Sequence, residues 1–142
     1  MAIGFHTDGT AMPAFRKMPV KRWIKSIVER HGKTVGFITY VFCSDEKILG
    51  INTEFLRHDY YTDIITFDYS EENEISGDLF ISPDTVRSNS EKFNTAFQDE
   101  LFRVMIHGIL HLCGFGDKSE AEQLRMREAE NAALHLYKET FN

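Results

Sequence analysis

Apolar side chains recur along the chain at either helical or strand-like spacing, and these spacings predict its elements. In VKRWIKSIVERHG the apolar residues fall at helical intervals and stop at Gly32, which predicts a first helix. TVGFITYVFC, residues 34–43, is rich in β-branched and aromatic residues and predicts a strand. SDEKILGINTEFL begins with Ser44 as a cap and has acidic residues in its first turn, which favours a second helix.

Two further strands are predicted in the middle of the chain. They are DIITFDY, residues 63–69, and GDLFIS, residues 77–82, and a polar loop joins them. The dipeptide Ser82-Pro83 then begins a helix, because proline is favoured at the first helical position. Residues 1 to about 18 show no regular pattern and are expected to be irregular.

Two long helices are predicted in the last third of the chain. The segment from about Gln98 to Leu112 is apolar nearly all round, which is typical of a helix buried in the middle of a domain. SEAEQLRMREAENAALHLY opens with Ser119 and Glu122, the two residues of a capping box. The order αβαββααα predicts an α+β fold, or α/β sandwich, in which helices cover a small mixed sheet of about four strands.

Length, composition and charge narrow the class of protein. With 142 residues, 42% hydrophobic and 27% charged, the chain is expected to form one soluble domain, residues 1–142. Two cysteines, no secretory signal and no bilayer-length apolar run predict reduced thiols, no membrane segment and a cytoplasmic location.

Because the net charge is −6, RNA binding would need a local basic patch. The five basic residues between Arg16 and Lys25 form one candidate, although a solvated helix face explains them more simply.

Most of the chemistry lies in the stretch HGILHLCGFGD, which begins at His107. On a helix, His107 and His111 share one face, with Cβ atoms about 5–6 Å apart. Gly114 allows a left-handed turn that ends the helix, and Gly116 lets the chain turn back, so Asp117 can approach the same point. Two imidazoles and a carboxylate are ligands that Zn²⁺ accepts at about 2.0–2.2 Å. Three protein ligands leave a fourth position for water, as in catalytic zinc sites.

Simpler explanations exist for each of these residues. Two histidines at helical spacing could form a partly exposed polar stripe, and Asp117 could belong to the acidic approach to the last helix. However, the histidines interrupt an apolar helix, where an imidazole without a partner is costly. Gly108, in mid-helix, costs about 1 kcal/mol relative to alanine, which predicts that another part of the chain approaches closely there. Cys113 is expected to point to another face of the helix as a structural thiol.

The same stretch resembles the His-Gly-x-Leu-His-Leu-x-Gly core of the YbeY-type endoribonucleases. The resemblance continues upstream through INTEFLRHDYYTDIITFDY and SGDLFISPDTV, and it covers roughly Ser44 to Ala133. It implies a bacterial metal-dependent endoribonuclease that cleaves single-stranded RNA and acts in 16S ribosomal RNA maturation and ribosome quality control. It also implies ribosomal RNA, small-subunit ribosomal proteins and an assembly GTPase as partners.

The chain departs from that family at two positions. The family's third ligand is usually histidine, and Asp117 occupies its place; an anionic ligand makes the metal less Lewis acidic, so the pKa of bound water should be somewhat higher. The family usually places arginine directly after the aromatic residue that here is Phe55, but this chain has Arg57 one position later. Arg57 is the candidate for stabilising phosphate charge, and His58 is a weaker one. A surface arginine at a helix end is an equally good explanation of Arg57.

Two other functions are considered. The spacing His-x-x-x-His-x-x-Gly-x-x-Asp resembles a metzincin metalloprotease, but such enzymes have a glutamate base directly after the first histidine, where this chain has Gly108. A ribosome-assembly protein with a non-catalytic metal would need a closed site with four ligands. The family-like pairs Thr62-Asp63 and Gly77-Asp78 are explained at least as well by turns and strand ends as by catalysis.

Overall fold

The computed structural model describes residues 2–56 and 62–142, which form nine helices and strands and a closing π-helical turn within that part of the chain. In chain order these are β1 (Ala2–Asp8), α1 (Lys17–Arg30), β2 (Thr34–Cys43), α2 (Asp45–Leu56), β3 (Ile64–Asp68), β4 (Glu74–Ile81), α3 (Pro83–Lys92), α4 (Phe97–Leu112), α5 (Glu120–Leu136) and the turn Tyr137–Phe141. The α+β prediction is confirmed, and every helix and strand predicted from the sequence is present.

The sheet is mixed and has four strands in the order β1-β2-β4-β3. β1, β2 and β4 are parallel, whereas β3 pairs with β4 in the antiparallel direction. Strand β1 corrects the prediction that the N-terminal residues are irregular. Ile3 is the one fully buried residue of this strand, so its sequence carries only a weak apolar pattern. Its register with β2 runs from Ala2 opposite Phe37 to Asp8 opposite Cys43.

Helix α4 lies in the centre of the molecule, as its apolar sequence predicts. Nine of its residues are buried: Leu101, Phe102, Val104, Met105, Ile106, Gly108, Ile109, Leu110 and Leu112. The Tyr40 hydroxyl of β2 donates a hydrogen bond of 2.9 Å to the Met105 carbonyl, which ties the sheet to this helix. The Trp23 indole of α1 donates at 2.8 Å to the Ala133 carbonyl of α5. Both polar groups are therefore satisfied inside the core.

The predicted helix caps are present. The backbone N–H groups of Lys47, Thr85 and Glu122 donate to the side chains of Ser44, Ser82 and Ser119, respectively. At Ser119 the capping box is complete, because the Glu122 carboxylate also accepts from the Ser119 backbone at 3.0 Å. These bonds satisfy N–H groups that have no partner inside a helix.

The structure also bears on the predictions about thiols and membranes. Cys43 and Cys113 are free cysteines. Across residues 2–56 and 62–142, no helix combines the length and the apolar character that crossing a bilayer requires. The cytoplasmic location and the single-domain organisation stay predictions.

The close approach predicted at Gly108 is confirmed. A Cβ atom at this position would lie 2.3 Å from Leu79 Cδ2 of β4 and 2.9 Å from Ile64 Cδ1 of β3. Leu79 is fully buried, so it has little room to move. Gly108 therefore allows α4 to pack directly against the two strands, beside His107.

We expect Gly108→Ala to lower the free energy of unfolding by about 1–2 kcal/mol, because overpacking of the core outweighs the gain in helix propensity. Gly50→Ala in α2 is the matched control, since nothing lies within 4 Å of its added Cβ and the change should stabilise by about 1 kcal/mol. Urea denaturation of both variants measures the difference. Equal stabilisation by the two substitutions would contradict the packing argument.

Candidate metal centre

Both histidines of the motif lie on one face at the end of α4. Their rings are 4.5 Å apart between centroids and nearly perpendicular. The helix ends at Gly114, whose φ of 107° is the left-handed turn that the sequence predicts. The Phe115 N–H donates at 3.0 Å to the Leu110 carbonyl, and the Gly114 N–H donates at 2.9 Å to the His111 carbonyl. This is the Schellman pattern, and it reverses the chain after the second histidine.

The reversed chain brings Asp117 back to the histidines. At Gly116 it passes so close to α5 that a Cβ would lie 2.2 Å from Glu122 Oε2. Asp117 Oδ2 lies 3.1 Å from His111 Nε2 and 3.5 Å from His107 Nε2. The predicted convergence of these three side chains is thus present in the fold.

Hydrogen bonds at the far side of each ring determine which nitrogen faces Asp117. His111 Nδ1 lies 2.8 Å from the Phe115 carbonyl oxygen, and since a carbonyl only accepts, Nδ1 carries the proton. His107 Nδ1 lies 2.7 Å from Glu130 Oε2. In the neutral imidazole, a protonated Nδ1 leaves the lone pair on Nε2. Both rings therefore direct Nε2 towards the carboxylate of Asp117.

The spacing of the three ligand atoms fits a metal ion. One atom from each of His107, His111 and Asp117 lies within 4.8 Å of the others, and they are the one such group of three in the described part of the chain. Tetrahedral ligands at about 2.0–2.2 Å from zinc are roughly 3.4 Å apart. The two separations from Asp117 Oδ2, 3.1 and 3.5 Å, agree with that spacing. These three residues could therefore hold one ion between them.

The three side chains lie at the wall of a cleft of about 530 Å³ between the end of α4 and the edge strand β3. Thr62 and Asp63, which the sequence left outside the catalytic set, also line it. Burial raises the pKa of Asp63 above its ordinary value. Asp68 is a further carboxylate on this wall, and among the described residues no lysine or arginine lines the cleft. The cleft is therefore acidic apart from the imidazoles.

A buried carboxylate that the sequence analysis missed completes the centre. Glu130 of α5 is only 6% exposed and accepts a hydrogen bond of 2.8 Å from Arg103 Nη1 as well as contacting His107. Burial alone would raise the pKa of Glu130, but the bonds from His107 and Arg103 outweigh it and lower that pKa. Burial likewise opposes the charged form of His107, yet Glu130 raises its pKa overall. In the sequence, Glu130 is one of many acidic residues of an amphipathic helix, and no spacing marks it.

The remaining predicted candidates are the two residues after α2 and the basic segment near the N-terminus. Arg57 and His58 fall outside the described residues. The His31 ring, at the end of α1, contacts the Phe115 ring at 5.1 Å, so the C-terminal end of α1 is the one near the centre. At a rise of about 1.5 Å per residue, Lys17 lies roughly 20 Å away along this helix. Lys17 therefore lies at the end of α1 that is further from this contact.

Neither cysteine belongs to the group of candidate metal ligands formed by His107, His111 and Asp117. Burial raises the pKa of the Cys113 thiol to about 11. The Cys43 thiol also has a pKa of about 11, because of burial and the nearby Asp8 carboxylate. Both are therefore protonated at neutral pH, which agrees with the prediction of a structural thiol at Cys113.

Comparison with protein families gives a match over most of the chain. The family model described as endoribonuclease YbeY matches residues 9–138. The endoribonuclease YbeY of Parabacteroides distasonis is 56% identical to this chain, and the alignment covers 98% of each protein. That of Bacteroides thetaiotaomicron is also 56% identical, with 96% of this chain and 99% of the relative covered. The protein of the same description from Porphyromonas gingivalis is 53% identical over 97% of this chain and 91% of the relative.

A solved structure shares the fold of this chain. The solution structure of a Thermotoga maritima protein superposes with a TM-score of 0.70 at 27% sequence identity. The superposition covers 95% of this chain and 90% of that chain. The helix-covered mixed sheet is therefore shared over nearly the full length.

We expect the wild-type protein to bind about one zinc ion per chain and His111→Ala to bind none under the same conditions, because two remaining ligands hold the ion poorly. Equilibrium dialysis followed by elemental analysis measures the bound metal. His135→Ala, which removes an exposed histidine of α5, is the control and should retain the ion. Retention of a full equivalent by His111→Ala would contradict the ligand assignment.

We expect both thiols to react slowly with iodoacetamide in the folded protein. A shift of the thiol pKa from 9.0 to about 11 reduces the thiolate fraction at pH 8 roughly 100-fold. Alkylation followed by mass spectrometry, with and without urea, measures the two rates. Equal rates in the folded and unfolded protein would show that burial does not protect the thiols.

Proposed function

The chain belongs to the endoribonuclease YbeY family, and from that premise we propose that it is a zinc-dependent endoribonuclease acting on ribosomal RNA. The observation that carries this proposal is the convergence of His107, His111 and Asp117 at the wall of an open cleft. The proposal treats residues 1–142 as one catalytic domain, which agrees with a family match over residues 9–138. Single-stranded segments of 16S ribosomal RNA are the proposed substrate, in the course of small-subunit maturation.

In this proposal His107, His111 and Asp117 hold the ion through Nε2, Nε2 and a carboxylate oxygen. When bound, zinc lowers the pKa of a coordinated water molecule towards about 7 and polarises the phosphate. This chemistry suits a site without a glutamate directly after the first histidine. The carboxylate of Asp117 adds negative charge, so the activity should rise at a somewhat higher pH than with three neutral ligands.

Because the cleft is acidic, the phosphate of a bound RNA strand needs positive charge nearby. Asp63 and Asp68 line the wall and repel an anionic RNA strand, and no described lysine or arginine offsets them there. The positive charge that offsets the phosphate is therefore assigned to the metal and to Arg57, which directly follows the end of α2 in the sequence. His58 is the weaker candidate for the same role.

Binding of a longer RNA strand is assigned to the basic segment between Arg16 and Lys25. Lys17 and Lys21 place their ammonium groups 5.4 and 5.7 Å from the Phe15 and Phe5 ring centroids, respectively. Contacts from such residues to RNA phosphates would weaken as salt rises. Small-subunit ribosomal proteins and an assembly GTPase are proposed partners on the strength of the family alone.

The alternatives of a metalloprotease and of a non-catalytic metal site receive less support. A protease of the metzincin type needs a glutamate at position 108, where even a Cβ atom would lie 2.3 Å from Leu79. A closed structural site needs a fourth ligand, and the cluster among the described residues has three. Neither alternative is therefore proposed.

We expect the zinc-loaded protein to cleave a single-stranded 16S ribosomal RNA fragment and to leave casein intact. A chelator should abolish the cleavage, and added zinc should restore it. His111→Ala should lose at least about 100-fold in rate, because loss of a ligand removes the ion. Gel analysis of end-labelled RNA measures the rate, with His135→Ala as the active control.

Two outcomes would overturn the proposed function. Full RNA cleavage by the metal-free His111→Ala protein would show that the metal is not required. Digestion of casein with no cleavage of RNA would favour the protease instead.

A further inference from the structure

The Glu130 carboxylate connects the candidate metal centre to the interior of the helix layer. Its Oε2 lies 2.7 Å from His107 Nδ1, on the side of the ring that faces away from Asp117. Its Oε1 accepts at 2.8 Å from Arg103 Nη1. Both oxygens of the carboxylate are thus engaged, and each has a partner on helix α4.

The second terminal nitrogen of Arg103 also holds the arginine and Glu130 in place. Arg103 Nη2 donates at 2.8 Å to the Asn131 side-chain oxygen, so the guanidinium bridges two neighbouring residues of α5. Such a bridge restricts the rotation of the arginine and of the carboxylate it holds. Glu130 therefore has one main orientation, and in it Oε2 faces the His107 ring.

The two imidazoles differ in the group that holds them. His111 Nδ1 donates to a backbone carbonyl, whereas His107 Nδ1 contacts an ionised, buried carboxylate. A carboxylate behind a metal-ligating imidazole fixes its tautomer and orientation and increases its basicity. The stronger partner thus lies behind His107, the histidine whose Nε2 is further from Asp117, at 3.5 Å against 3.1 Å.

We propose that Glu130 is a positioning residue that orients His107 for metal binding, with Arg103 holding the carboxylate in place. This inference rests on the proposed metal site. Glu130 fixes the Nδ1–H tautomer of His107 and directs the Nε2 lone pair into the cleft. Removing its charge should weaken metal binding although none of the three ligands is altered.

Glu130→Gln is the test, because glutamine keeps the size of the side chain and removes the charge. Metal affinity is measured by competition between the protein and a chromophoric chelator, with Co²⁺ and Zn²⁺ as the ions. We expect the dissociation constant to rise about 10- to 100-fold. The visible absorption of the Co²⁺ protein should also change, because the orientation of one ligand is less well fixed. The matched control is Glu128→Gln, which removes the same charge from an exposed position of the same helix.

These measurements separate positioning from a role in stability alone. They are made at a temperature where circular dichroism shows all proteins to be fully folded, so a loss of stability does not alter the affinity. A dissociation constant for Glu130→Gln within twofold of the Glu128→Gln value overturns the inference. If the wild-type protein itself binds no metal, the proposed function fails; if it binds metal and cleaves RNA while Glu130→Gln behaves like the control, only the positioning role fails.

A second measurement needs no substitution and decides the matter if Glu130→Gln does not fold. Long-range ¹H–¹⁵N correlation spectra of the zinc-loaded wild-type protein report which ring nitrogen carries the proton. We expect His107 to carry it on Nδ1 and to bind the ion through Nε2. Coordination through Nδ1 of His107 would overturn the assignment, because that nitrogen could not then donate to Glu130.

Discussion

The contact between α4 and the sheet at Gly108 determines where both histidines point. Gly108 faces Leu79 and Ile64. Relative to Gly108, helical geometry places His107 about 100° and His111 about 60° around the helix axis, both in the same direction. Both rings therefore lie at the border of the packed interface, half buried. In that position each ring has a hydrogen-bond acceptor behind Nδ1 and directs Nε2 towards Asp117 at the cleft, an arrangement that suits a metal ligand.

The packing at Gly108 also distinguishes this chain from the metzincin proteases, which have the same spacing of metal ligands. A metzincin protease carries its general base on the residue after the first histidine. In this fold that residue faces the sheet, and a Cβ there would overlap with the core. The glutamate base is therefore absent for a reason of packing as well as of sequence.

Three carboxylates near the imidazoles have different environments and hence different roles. Asp117 is partly exposed at the cleft and contacts both Nε2 atoms. Glu130 is buried, and its partners His107 and Arg103 keep it ionised. Asp63 is partly buried and forms no salt bridge with an arginine among the described residues, so desolvation raises its pKa and favours its neutral form more than for an ordinary aspartate. The environment of each acid, more than its identity, decides what it can do.

Local sequence determined the helices, their caps, the main strands and the His-His-Asp cluster, because each depends on spacing within a few residues. The spacing of His107 and His111 and the glycine at 114 were enough to predict that Asp117 returns to the same point. Tertiary structure alone decided the presence of β1, which has one buried side chain and exists through its pairing with β2. It also decided the role of Glu130, because the packing of α5 on α4 brings that acid to His107 across 23 positions of sequence. Contacts between distant segments leave no periodic signal in the chain, and only the fold reveals them.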